Sequence, residues 1–153
     1  MKQISLTQNK FAQVDDEDFE SMNQFKWYAY INRNTFYARR DSKGSFYLLH
    51  REIMKAKKGE LIDHVDRNGL NCQRDNLRKA THSQNNMNKI KKQNCSSKYI
   101  GVRSSQNKWR ADIQINKKKI FIGTFETENE AGIAYNNKAI ELHREFANLN
   151  NIH

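Results

Sequence analysis

Asp63 and His64 stand side by side in the stretch IDHVDRNGLNCQRDNLR, residues 62–78. A carboxylate is a hard oxygen ligand for a cation, and an imidazole with an ordinary pKa of about 6.5 is mostly free base near neutral pH. Together they offer a metal ion with a proton acceptor beside it. The plain alternative is a polar turn between two short strands. Geometry sets a condition on the first reading. Neighbouring residues in a regular strand point to opposite faces, so both side chains reach one phosphate only at a bulge or a strand end.

The elements around the pair must supply that position. LIDHV and NLRKAT are apolar-containing runs flanking Asn68-Gly69, a dipeptide that signals a tight hairpin. Thr81-His-Ser-Gln84 fits a capping box with Thr81 as N-cap, which puts Asn85 in the first turn of a short helix. Upstream, SFYLLHREIMKA (45–56) passes from an apolar run into a helical pattern with Leu49, Ile53 and Met54 on one side, and His50 lies at its start. Residues 1–47 read as short strands, KFAQV, FKWYAYI and TFYARR, with an acidic turn and helix start at 15–20.

The last third has a different rhythm. YIGVR, KWRADIQI and KKIFIGTF are three strand candidates separated by Asn- and Lys-rich turns. Thr127-x-x-Glu130 is a second capping box, opening a helix through about Phe146 with Ala131, Tyr135, Ala139 and Leu142 near one face. Alternation puts Trp109, Ala111, Ile113 and Ile115 on one side of the middle strand, joined by Ile120 and Ile122 from the next, for the helix to cover. The opposite side then carries Arg103, Arg110, Gln114 and Lys119, donors suited to phosphates and base edges, with Phe121 placed for a sugar or a thymine methyl.

Composition agrees with a polyanionic partner. Of 153 residues, 27 are Lys or Arg against 17 Asp or Glu, a formal charge of +10. Residues 89–153 hold 12 basic and 6 acidic side chains, and residues 1–88 hold 15 and 11. With 37% hydrophobic residues, two small modules fit better than one large core. The boundary is expected in the basic, polar stretch KIKKQNCSS (89–97), read as a linker. No run of about 18 apolar residues and no signal-peptide pattern occur, so a membrane is not an expected partner. Two lone cysteines, Cys72 and Cys95, suit a reducing cytoplasm rather than a disulfide scaffold.

Residues 48–88 resemble the HNH nucleases of the phage homing type in the order Asp-His, a turn with Asn, Asn-Leu-Arg, then Thr-x-x-Gln-Asn. The resemblance implies a strand–strand–helix unit around one divalent metal. By the same correspondence Asp63 is a metal ligand, His64 the general base, Asn76 the residue that pins the hairpin loop, and Asn85 the second ligand. Family members often carry His-Arg where His50 and Arg51 stand, and His50 is read as structural support. One carboxylate and one amide leave a divalent ion with positive charge for the phosphate, and oxygen ligands suit Mg²⁺ or Mn²⁺. Zinc is the weaker candidate, because a mixed site from His64, Cys72, His82 and Cys95 lacks the Cys-x-x-Cys spacing. Two departures bear on the loop. Arg67 stands where Gly is common, and Cys72 where a second Asn is common.

Residues 98–150 resemble the ethylene-response-factor (APETALA-type) DNA-binding domain through Gly-Val-Arg, Lys-Trp, Gly-Thr-Phe and the Glu-Ala…Ala-Tyr helix. In that family the sheet lies in the major groove and the helix packs behind it. Ser105 replaces a second arginine usual there. Residues 1–47 are similar to the N-terminal part of HNH proteins that carry this same module.

These readings converge on an α+β chain. A β-rich N-terminal segment (1–47) leads into a ββα-metal unit (48–88). A three-stranded antiparallel sheet on one helix follows over 98–153. The expected function is metal-dependent cleavage of double-stranded DNA by a homing-type enzyme in a bacterial or phage-infected cytoplasm. It would act as a monomer or a dimer, without a small-molecule cofactor. The competing classes are a DNA-binding regulator with a degenerate HNH unit and, more weakly, an RNA-binding protein. The presence of Asp63, His64 and Asn85 together favours the enzyme.

Overall fold

A computed structural model describes residues 1–88 and 95–153. The chain divides into two compact units, Met1–Thr81 and His82–His153. The division follows Thr81, so the short helix carrying Asn85 falls in the second unit. Of the expected linker, residues 89–94 lie outside the described residues.

The first unit opens with an antiparallel ribbon, β1 (Lys2–Ser5) paired to β2 (Phe11–Val14). Helix α1 (Asp16–Asn23) follows, with Asp16, Glu17 and Asp18 in its first turn, where acids complement the helix dipole. Next comes a meander of β3 (Tyr28–Asn32), β4 (Thr35–Ser42) and β5 (Ser45–Leu48), antiparallel throughout. Helix α2 (Leu49–Ile53) leaves β5 directly, and β6 (Leu61–His64) pairs with β7 (Leu77–Ala80). Ile4, Val14, Trp27, Ala38, Leu49, Ile53, Cys72 and Leu77 are buried in one cluster, so ribbon, meander and hairpin share a core. Truncating a residue such as Leu49, fully buried here, costs about 2–5 kcal/mol in comparable sites.

The hairpin differs from the tight turn expected at Asn68-Gly69. The strands are joined by a loop of 12 residues, 65–76, ending in a 3-10 turn at Arg74–Asn76. The loop is anchored on the ribbon, where Gln13 N donates to Leu70 O and Cys72 N donates to Gln13 O, both at 2.8 Å. Gly69 is required for space rather than for a turn conformation. A Cβ there would lie 2.4 Å from Phe36 O and 2.7 Å from the Tyr37 ring. The positive φ of the loop, 67°, belongs to Arg67, the position where glycine was expected.

The second unit begins with α3 (His82–Met87). Its sheet, in order β10-β9-β8, is built from β8 (Val102–Ser105), β9 (Lys108–Ile115) and β10 (Lys118–Phe125). Both hairpin turns put two residues at positive φ, Gln106-Asn107 and Asn116-Lys117, the geometry that matches strand twist. Helix α4 (Glu128–His143) opens on a complete Thr127–Glu130 capping box. The helix ends three residues before the expected Phe146, and Arg144–Phe146 forms a 3-10 turn. Tyr99, Val102, Ala111, Ile113, Ala131, Tyr135 and Ala139 are buried between helix and sheet. YIGVR is strand only from Val102, because Gly101 takes φ 74° against Tyr135, where a Cβ would fall 2.2 Å from the ring. Among the described residues no helix is long and apolar enough to cross a membrane.

Candidate active site

Strand β6 ends at His64, which meets the strand-end condition set by the Asp-His pair. Register places Asp63 opposite Arg78 and His64 opposite Leu77. The Asp63 carboxylate is 6% exposed, and its Oδ2 accepts from Arg78 Nε at 2.9 Å with Nη2 at 2.8 Å. His64, also 6% exposed, turns to a cluster of rings. Its centroid lies 4.8 Å from that of His50, edge to face, and 5.8 Å from that of Tyr37. Tyr37 and His50 are 5.6 Å apart. Three elements therefore build the cluster, β6, the start of α2, and β4.

Burial sets the protonation states. It lowers the His64 pKa to about 4, against the opposing pull of the Asp66 and Asp63 charges. His50, 5% exposed, is lowered to about 3 by burial first and then by His64 and Arg51. Both imidazoles are neutral at physiological pH, the form able to accept a proton. His50 Nδ1 is buried and finds no hydrogen-bond partner among the described residues.

The loop beside the pair is held by Asn76 and Asp66. Asn76 Nδ2 donates to Asp66 Oδ1 at 2.9 Å and to Asn71 O at 2.8 Å, while Asp66 N donates to Asn76 Oδ1 at 2.9 Å. Asn68 N and Asn71 Nδ2 donate to the same Asp66 carboxylate. With Val65 N donating to Asn76 O at 2.9 Å, the backbone after His64 is tied across the loop. Burial raises the Asp66 pKa, but its hydrogen bonds from Asn71, Asn68 and Asn76 outweigh that and hold it lowered.

Of the two expected ligands, Asp63 in the first unit brings a carboxylate, an oxygen donor of the kind suited to Mg²⁺ or Mn²⁺. Cys72 does not fit the mixed zinc site. It is fully buried in the core of the first unit, where burial, followed by the Asp66 charge, pushes its thiol up to about 12. Asn85 is half-buried on α3 and His82 is exposed on the same helix, both in the second unit.

Residues 47–87 match the HNH endonuclease family. Over 149 residues the chain is 34% identical to an uncharacterized HNH endonuclease, L560, of Acanthamoeba polyphaga mimivirus, spanning 93% of this chain and 75% of the relative. The chain belongs to the HNH endonuclease family. Membership points to nuclease activity on DNA. No solved structure matches.

The HNH endonuclease's second charged surface lies on the C-terminal sheet. Register aligns Arg103 with Arg110, Asp112 with Phe121 and Gln114 with Lys119, so the five residues expected on the outer face do share it. Sequence reasoning passed over the role of Asp112. Only 5% exposed, it is ringed by Arg110 Nη2 at 2.9 Å, Arg103 Nη2 at 3.3 Å and Lys119 Nζ at 3.6 Å. Arg110 also lies over the Phe121 ring at 4.4 Å, and Phe121 is exposed. Burial raises the Asp112 pKa, but the Arg110 hydrogen bonds and the three cations outweigh it and leave it lowered.

Arg78 and Tyr37 were also missed near the Asp63–His64 pair. Arg78 could not be placed opposite Asp63 from the tight turn expected at Asn68-Gly69, because the 12-residue loop sets the register that pairs them. Tyr37 had no local signal, because its contact with the histidines is tertiary.

Proposed function

We propose that this HNH endonuclease is a metal-dependent, homing-type DNA hydrolase. In this reading the first unit cuts, and the C-terminal sheet reads the major groove as an ethylene-response-factor-like domain. The observation that carries it is the Asp63–His64 pair at the end of β6, with a buried neutral imidazole seated against His50 and Tyr37. His64, as a neutral imidazole, takes a proton from water at a ring nitrogen. Asn76 and Asp66 fix the backbone that orients it. Asp63, aligned by Arg78, is the ligand that the first unit would supply to a divalent ion, and the family motif alone gives Asn85 as the second. The ion, when bound, supplies positive charge for the scissile phosphate and the leaving oxygen. Arg103, Arg110, Gln114, Lys119 and Phe121 contact DNA, supported by the shared face and by the +10 charge of the chain. The homing-type assignment rests on the sequence resemblance alone.

The test is incubation of supercoiled plasmid with the full chain in Mg²⁺, in Mn²⁺ and in EDTA. Nicked or linear product with either metal and none in EDTA is the expected result. Equal cleavage in EDTA, or none in any buffer, overturns the proposal.

A further inference from the structure

One face of the β3–β4–β5 meander has no part in the reading above. Register places Tyr28 opposite Arg39 and Arg39 opposite Leu48, with Tyr30 opposite Tyr37 and Asp41 opposite Phe46. These residues share a face, and the core-facing Ala38 lies on the other. The Arg39 guanidinium carbon is 4.6 Å from the Phe46 ring centroid, 5.0 Å from Tyr30 and 5.9 Å from Tyr28. Phe46 is 60% exposed. A large ring left in solvent around a cation, on a sheet whose other face supplies the core, is a surface built to be covered.

What covers it follows from how Arg39 is used. Its Nε at 3.1 Å and Nη2 at 2.8 Å from Asp41 Oδ1 tie it to that carboxylate, while Tyr28 Oη donates to Asp41 Oδ2 at 2.6 Å. The two bonds hold the guanidinium against the rings, and the exposed Phe46 ring is what the face presents to solvent. Asp41 on the same face repels phosphate. Flat, polarisable, apolar partners are therefore favoured over a phosphate backbone, and a paired duplex hides the faces of its bases. The face is also continuous with the catalytic cluster, because Tyr37 sits across from Tyr30 and packs on both His50 and His64. We propose that Tyr28, Tyr30, Arg39 and Phe46 form a stacking platform for unpaired bases of a single DNA strand adjoining the cleavage site. This rests on the nuclease reading for its location, and its chemistry is that of sequence-tolerant single-strand binding.

Binding is measured with the full chain in EDTA, where the metal needed for cleavage is withheld, using labelled oligothymidylate and a mixed-sequence duplex. Phe46→Ala and Tyr30→Ala should each weaken oligothymidylate binding by about 5- to 100-fold while duplex binding changes less than about two-fold. Phe46→Trp should keep single-strand affinity, and its added indole fluorescence should be quenched on binding. Both variants at Phe46 alter an exposed ring, so thermal melts should match the wild type. Single-strand affinity within two-fold in both alanine variants, an equal loss on duplex, or an unquenched indole overturns the platform. Plasmid cleavage in Mg²⁺ by the wild type is scored separately. Intact cleavage with an unaffected alanine variant removes the platform alone, and absent cleavage with selective single-strand loss removes the nuclease reading alone.

Discussion

The two units treat charge in opposite ways. The first buries titratable groups, with Asp18, His50, Asp63 and His64 all 6% exposed or less, and lets the two imidazoles lose their charge. The second keeps Arg103, Arg110 and Lys119 at the surface around the buried carboxylate of Asp112. A base that takes a proton must be neutral and fixed in place, and contact with a polyanion needs cations that water can still reach. Buried polar groups are costly unless they are paired or neutral. The first unit meets that cost with Arg78 on Asp63, Arg74 on Asp18 and neutral histidines. A chain with 37% hydrophobic residues separates the two demands into two cores rather than meeting both in one.

The sharpest way to break this division is His64→Ala. Loss of a general base lowers the rate by about 10²- to 10⁴-fold, and duplex affinity should stay near the wild type if, as proposed, the second unit carries the contact. Single-turnover cleavage beside a binding titration reads both quantities. Cleavage within a few-fold of the wild type would leave the Asp63–His64 pair as a turn and nothing more. His50→Ala is the internal contrast. That ring packs between Tyr37 and His64 without a partner on Nδ1, so its loss should lower the melting temperature, with a smaller effect on the rate per folded molecule.

Acid separates the units next. His50 and His64 have folded-state pKa values of about 3 and about 4, below an unfolded value near 6.5. The unfolded chain therefore binds protons first as pH falls. Their stabilisation is complete above about pH 6.5 and is lost through the window down to those folded values, at up to about 1.4 kcal/mol per pH unit for each imidazole. Asp112, lowered from 3.8, keeps its contribution until the pH falls below that value. Thermal melts in EDTA check this, with Trp109→Phe leaving Trp27 to report the first unit and Trp27→Phe leaving Trp109 to report the second. Between pH 6.5 and 5 the Trp27 signal should move to lower temperature and the Trp109 signal should not. Parallel shifts would mean that the histidines are not the source.

Local signals made much of this legible, and tertiary contacts made the rest invisible. The Thr127–Glu130 capping box and the alternation in KWRADIQI describe interactions within a few residues, and the structure carries both. Asn68-Gly69 was a local signal that misled. Its glycine is kept by the approach of Phe36 O and the Tyr37 ring, which are more than thirty positions away in the chain. Cys72 had only its type to argue from, and its place in the core is set by Gln13 and the ribbon. The Tyr37–His50–His64 cluster joins three elements that no spacing rule connects. The alternation of KWRADIQI also turns Asp112 outward, but its meaning depends on three cations from three strands meeting on it.

The smallest effect tests the other side of the comparison. If the second unit binds DNA through surface cations, Lys119→Ala should remove about one released counterion, lowering the slope of log affinity against log salt by about 1 and weakening all duplex sequences alike. Lys119 is the most loosely held of the three cations on Asp112, at 3.6 Å, so its loss should leave the sheet intact and report charge alone. The matching change, Asp112→Asn, works in the opposite direction. It releases Arg103, Arg110 and Lys119 from their shared carboxylate and should raise low-salt affinity, at some cost in melting temperature because the carboxylate is buried and paired. Titrations at several salt concentrations, with Asp63 and His64 intact and EDTA present, read both. A Lys119→Ala slope equal to the wild type, with Asp112→Asn no tighter, would place the DNA contact elsewhere on the protein. The opposed signs are what a charge-bearing surface requires, and loss of fold in the second unit would weaken binding in both variants instead.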